Sequence, residues 1–192
     1  MRYHLRIRIG LAAPLLMMIG CQSIGPNRSG DPFWEALQPH CGQAFAGRVV
    51  EGTEASDAAM REQALVMHVR ECSSGELRIP FYVGDNRSRT WVITRTRDGV
   101  RLKHDHRHED GTPDQVTQYG GETRSGGNNL SLEFFADERT AQLIPAAQSN
   151  IWTMAIEPAK TFTYALRRDN SGRRFRVEFD LTTPVSAPPS PW

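Results

Sequence analysis

The sequence predicts an all-β protein: an antiparallel up-and-down barrel of about ten strands with a short N-terminal helix. A two-sheet sandwich or jelly roll is the alternative. Three observations carry this expectation. From residue 45 onward, runs of β-branched and aromatic residues alternate with polar ones at period two. Turn clusters such as Ser73-Ser74-Gly75, Gly84-Asp85-Asn86 and Asn170-Ser171-Gly172 separate those runs. The connections are short, which suits strands paired with their sequence neighbours, and closing such a sheet removes its exposed edges.

Asp31-Pro32-Phe33-Trp34-Glu35-Ala36-Leu37 opens the body, with an N-cap, a proline at the first helical position and apolar residues at 33, 34 and 37. Strands are expected at about 45–51, 63–72, 76–83, 88–97, 99–108, 115–122, 129–135, 150–157, 161–168 and 173–182, and 136–149 holds a loop and a helical turn. Asp98-Gly99 reads as a two-residue hairpin turn, which needs positive φ at both positions. After Thr183 the chain has four prolines in its last ten residues and should be extended, with Trp192 free to dock on the body. The expected organisation is a leader at 1–20, a tether at 21–31, one barrel domain at 32–183 and a proline-rich tail at 184–192. The opening Phe33-Trp34, Cys41-Gly42 and Phe45-Ala46-Gly47 resembles the way lipocalin-like barrels begin, which implies a calycin-like architecture.

The N-terminus supplies an address. Met1 to Arg8 carry three arginines and no acid, and an apolar run of about a dozen residues follows, ending at Gly20-Cys21. That run is too short for a bilayer span of about 20 residues and has the plan of an export signal. Leu15-Leu16-Met17-Met18-Ile19-Gly20-Cys21 resembles the lipobox of bacterial lipoproteins, with Met18 where that family usually has leucine. The resemblance implies acylation of Cys21, membrane attachment through lipid, and, with Gln22 rather than Asp next in line, the outer membrane facing the periplasm. Removing residues 1–20 from 192 leaves 172 residues, enough for one domain with a proper core. Those residues carry 20 basic and 22 acidic side chains, a net charge of −2 with no basic stripe, which gives no reason to expect nucleic acid. With Cys21 taken by lipid, Cys41 and Cys72 are left as a disulfide pair in an oxidising compartment, or as two unrelated buried thiols.

The segment Val100-Arg101-Leu102-Lys103-His104-Asp105-His106-Arg107-His108-Glu109-Asp110 stands out. Alternation places Val100, Leu102, His104, His106 and His108 on one face and a fully charged set on the other. The charged set is expected to face water, so the imidazoles continue the apolar face into one end of the barrel. Histidines at i and i+2 can converge on one metal ion. The His-x-His pattern resembles the metal-binding strand of cupins and α-type carbonic anhydrases, although no histidine follows His108; beyond the leader, His40 and His68 lie upstream. Three readings stay open: a divalent transition-metal site at His104, His106 and His108 with Glu109 or Asp110 as acid/base; imidazoles hydrogen-bonded to one another and to carboxylates; and a small-molecule pocket lined by His104, His106, Trp91 and Tyr119.

With Asp98-Gly99 as the turn, Arg97 pairs with Val100, Arg95 with Leu102, Ile93 with His104 and Trp91 with His106; a one-residue slip brings Thr96, Thr94, Val92 and Thr90 there instead. Asp110-Gly111-Thr112-Pro113-Asp114 lacks the acidic ladder of an EF-hand and reads as a turn. Tyr119-Gly120-Gly121 reads as a strand bent so that something approaches its backbone. No serine has a Gly-x-Ser-x-Gly context, so acyl transfer has no support. The functions in play are a ligand-binding envelope barrel, a metal-dependent enzyme and a filled barrel that serves as an interaction surface. Cys21→Ser is expected to leave the protein unprocessed or released from membranes, which fractionation of cells expressing the variant checks.

Overall fold

The computed structural model describes residues 31–124, 130–169 and 171–192. The expected leader, the lipidation site Cys21 and residues 22–30 of the tether lie outside the described residues. Eleven strands form one antiparallel sheet: β1 (Ala44–Gly52), β2 (Leu65–His68), β3 (Glu71–Cys72), β4 (Glu76–Val83), β5 (Asn86–Arg95), β6 (Val100–His106), β7 (Tyr119–Thr123), β8 (Ser131–Ala136), β9 (Asn150–Glu157), β10 (Thr161–Arg168) and β11 (Arg173–Val185). The order is β2-β1-β11-β10-β9-β8-β7-β6-β5-β4-β3, and a second pairing of β2 with β4 closes the ring. Ten strands therefore make a closed barrel, and β3 lies outside it, paired with β4 alone. Closure leaves only β3 with a free edge, and β3 is two residues long.

Alternation decides what goes inside. Phe162 and Tyr164 on β10 and Phe175, Val177, Phe179 and Leu181 on β11 are buried, between neighbours that are half-buried or exposed. The interior is filled by large side chains: Phe45, Phe134, Trp152, Phe162 and Phe179 are wholly buried. Each such side chain contributes about 1.5–3 kcal/mol by leaving water. Helix α1 (Asp31–Leu37) stoppers one end of the barrel, inserting Phe33, Trp34 and Leu37. Its Phe33 ring stands 6.3 Å from Phe162, and the Arg95 guanidinium lies 4.5 Å over the Trp34 ring. Strand direction places the β5–β6 and β9–β10 connections at this end. The opposite end carries helix α2 (Ala55–Arg61) between β1 and β2, the 107–118 loop between β6 and β7, and helix α3 (Glu138–Leu143) between β8 and β9.

Several boundaries differ from expectation. The run at 63–72 splits: β2 stays in the ring, while the chain at 69–70 turns aside, with Val69 N–H donating to the Gln43 carbonyl. The hairpin between β5 and β6 closes one residue earlier than Asp98-Gly99. Thr96 N–H donates to the Gly99 carbonyl at 2.9 Å, so Arg97 and Asp98 occupy the turn. Neither Asp98 nor Gly99 has positive φ. Gly99 has a packing reason: a Cβ there would lie 2.4 Å from Thr123 Oγ1, which accepts the Val100 N–H. The last strand runs on to Val185, with Pro184 and Val185 paired to Phe45 and Ala44.

Helix α2 was not expected. Its stabilising contact is remote in sequence: Asp57 caps the helix through the Thr53 and Glu54 amides, and it is held by a two-pronged ion pair from Arg173 on β11.

Cys41 and Cys72 form a disulfide with a Cα separation of 6.2 Å. It ties the turn after α1 to β3, the one strand outside the ring. Closing a 31-residue separation stabilises the fold by about 3–4 kcal/mol in the loop-entropy model. Urea unfolding with and without reductant is expected to show a loss of that size, and equal midpoints would remove the disulfide from the account.

Candidate functional site

His104 sits on the inner face of β6, 4 % exposed. Its strand partners are Trp91 on β5 and Tyr119 on β7. The β5–β6 register is therefore two residues from the one expected, and a shift of two keeps every side chain on its face. Trp91, and not Ile93, lies opposite His104, and Arg89 lies opposite His106.

The hydrogen bonds around His104 determine its tautomer. The Tyr119 carbonyl is 3.2 Å from Nδ1, so Nδ1 carries the proton. The bare Nε2 then accepts from the Tyr164 hydroxyl at 2.8 Å. The Trp91 indole ring is stacked on Tyr164 at 4.5 Å. The Tyr119 ring lies parallel to the imidazole at 4.5 Å, and Trp152 flanks it at 5.2 Å. Burial holds His104 in the neutral form, lowering its pKa to about 3. Burial also raises the Tyr164 pKa well above its ordinary value and the Tyr119 pKa to about 12, so both hydroxyls keep their protons and serve as donors.

His106 lies one pleat nearer the end of the barrel and is half-buried. The Tyr119 hydroxyl is hydrogen-bonded to its Nε2 at 3.2 Å, and Nδ1 has no hydrogen-bond partner among the described residues. Its pKa is lowered, first by burial and then by the Arg89 charge, while Asp114 and Asp105 act in the opposite sense.

His108 does not join them. Strand β6 ends at His106, because Asp114 N–H bonds to the His106 carbonyl and His108 N–H to the Thr112 carbonyl, folding 107–114 into a turn. His108, Glu109 and Asp110 are exposed on that turn. Asp110 accepts from both the hydroxyl and the amide of Thr112, the hydroxyl bond being the first cause of its lowered pKa.

The upstream histidines stay apart as well. Half-buried His40 bonds to Gln43, and His68 bonds to the Gly42 carbonyl near the α1 end. Among the described residues no cluster of three or more His, Cys, Asp or Glu is arranged to hold a metal ion.

The outer face of β6 is also not uniformly wet. Asp105 is only 4 % exposed, because Arg78 and Arg107 cover it with ion pairs at 3.0 and 3.2 Å and Thr117 closes over it. A carboxylate so covered can be buried because its charge is paired and hydrogen-bonded. What approaches the Gly120-Gly121 backbone is protein. Thr140 Oγ1 bonds both the amide and the carbonyl of Gly120, and a Cβ on Gly121 would meet the Phe135 carbonyl oxygen at 1.8 Å.

Residues not singled out from sequence complete the histidine end. Arg89 continues the inner face beyond Trp91, and its only partner among the described residues is the amide oxygen of Asn86 at 3.1 Å. Arg168, two pleats beyond Tyr164 on β10, donates to the amide oxygen of buried Asn150 at 2.8 Å. Arg173 beside it is neutralised by Asp57 and Glu54. Two inward arginines thus have amide partners and no carboxylate partner among the described residues. Tyr164 and Arg168 lie on a strand whose alternation reads as plain wall, whereas Arg89 lies on the strand expected to pair with the histidine strand but carries no signal of its own.

Comparison with models of known families, with curated proteins and with solved structures finds no match to this chain.

The neutral interior has a consequence for stability. The unfolded chain binds a proton at the ordinary histidine pKa of 6.5 and the folded one only near 3. Stability is therefore complete above about pH 6.5 and falls as the pH drops toward 3, by about 1.4 kcal/mol per unit for this one group. Urea unfolding between pH 7.5 and 4 is expected to show this slope, and a His104→Gln variant to lose one proton's share of it. Equal slopes would place His104 in solvent.

Proposed function

We propose that the protein is a lipid-anchored binding protein of the cell envelope and holds a small anionic ligand at the histidine end of its barrel. The observation that carries this reading is that two arginines at that end of the barrel have no carboxylate partner among the described residues. Arg89 and Arg168 project from the inner face with only amide oxygens as partners, at the same end as His106, whose Nδ1 has no partner among the described residues. Guanidinium groups pre-positioned by neutral acceptors suit a carboxylate or a phosphate group, which they bind through paired hydrogen bonds.

Of the four residues expected to line a pocket, His106 and Tyr119 are half-buried and can reach the mouth, whereas His104 and Trp91 are sealed beneath them. Their part is to hold Tyr119, through stacking and the Nδ1 bond, so that its hydroxyl fixes the His106 ring. The aromatics packed below favour a small head group over a long ligand. Acylation of Cys21 would keep this mouth near a membrane surface.

The filled interior favours a second reading, in which the barrel works through its outer surface.

Thermal unfolding with a panel of small carboxylates and phosphates tests the first reading. At least one anion is expected to raise the midpoint, with affinity lost tenfold or more in Arg89→Gln and unchanged in Arg48→Gln, an arginine 80 % exposed on the outer wall. Anion effects that are identical in the two variants would remove the mouth as a site.

A further inference from the structure

After Val185 the chain turns back and runs as a strap over the outer face of β2, β4 and the start of β5. Its contacts are specific. The Tyr82 hydroxyl donates to the Pro189 carbonyl at 2.9 Å, Arg87 Nη1 to the Ser190 carbonyl at 3.2 Å, and Arg70 Nη2 to the Ser190 hydroxyl at 2.9 Å. Trp192 N–H returns a bond to the Arg87 carbonyl at 3.3 Å, and the Arg87 guanidinium stands 5.8 Å over the indole ring.

We propose that this face is a recognition surface for extended, proline-rich and acidic peptide segments of a protein partner, and that the tail is its built-in occupant. The donors read mainly carbonyl oxygens of a segment that proline holds extended. Proline-rich ligands are recognised in this way, at low entropic cost, in aromatic-lined grooves.

Two observations argue that the tail underuses the surface. A cleft of about 650 Å³, open to solvent, lies between strap and wall, lined by Val66, Tyr82, Pro188, Pro189 and Trp192 and also by the acidic Asp85 and Glu109, so any added acid of a partner must sit at the arginines and not in the cleft. Arg70 and Arg87 have no carboxylate partner among the described residues; in the tail they meet the Ser190 hydroxyl, the Ser190 carbonyl and the Trp192 ring, where an acidic side chain at 190 would pair with them. A partner with bulkier and acidic residues around its prolines therefore binds better than the tail. It must, because a tethered tail competes at millimolar effective concentration.

The test uses the full-length protein and the emission of Trp192, the half-buried indole beside the fully buried Trp34, Trp91 and Trp152. A synthetic peptide of residues 183–192 carrying Trp192→Phe is titrated alongside a second that also carries Ser190→Glu. Both are expected to displace the strap and shift the emission to the red, the acidic one at a concentration at least threefold lower. That advantage should vanish in an Arg70→Gln/Arg87→Gln protein. Unchanged emission at several millimolar of either peptide would overturn the proposal, as would equal displacement by a version with Pro188, Pro189 and Pro191 replaced by alanine.

Discussion

A neutral imidazole sealed inside a closed barrel organises this molecule. His104 can occupy the interior only because each ring nitrogen has a partner and because its neighbours are aromatic faces. Leaving either nitrogen unpaired in that setting would cost about 1–3 kcal/mol, and charging it would cost more. The constraint works outward in both directions. It fixes Tyr164 and Trp91 across the barrel, which locks the separation of β5 and β10. It also fixes Tyr119, whose hydroxyl orients His106 at the rim.

The two ends of the barrel then do different work. Helix α1 closes one with Phe33, Trp34 and Leu37, and the disulfide holds the adjoining turn in place. The other end is polar, and its groups are graded by depth: His104 is sealed, His106 is half-buried and His108 is in water. This gradient keeps the three imidazoles from forming one cluster. A strand that ends at His106 gives the third imidazole no wall to stand on, and the turn that ends it is made by the backbone bonds of 106–114.

Strong alternation made much of the fold legible. β4, β9 and β10 lie where period two put them, as does the helix at 31–37, and alternation on β6 correctly turned His104 and His106 inward. Legibility failed where the deciding partner is distant in sequence. Asp57 is buried by Arg173, Asp105 by Arg78, and Gly99 answers to Thr123 rather than to its own turn. The candidate site shows the same division. Its histidines and Tyr119 announce themselves locally, but Tyr164, Arg89 and Arg168 become part of it only when the sheet closes and brings β10 against β5.

Nitrogen-resolved NMR of the histidine side chains tests the central claim most directly. The account predicts one imidazole that remains the neutral, Nδ1-protonated tautomer from pH 8 down to about pH 4, with its signals lost in His104→Gln. A His104 that titrates near pH 6.5, or that exchanges between tautomers at neutral pH, would contradict it.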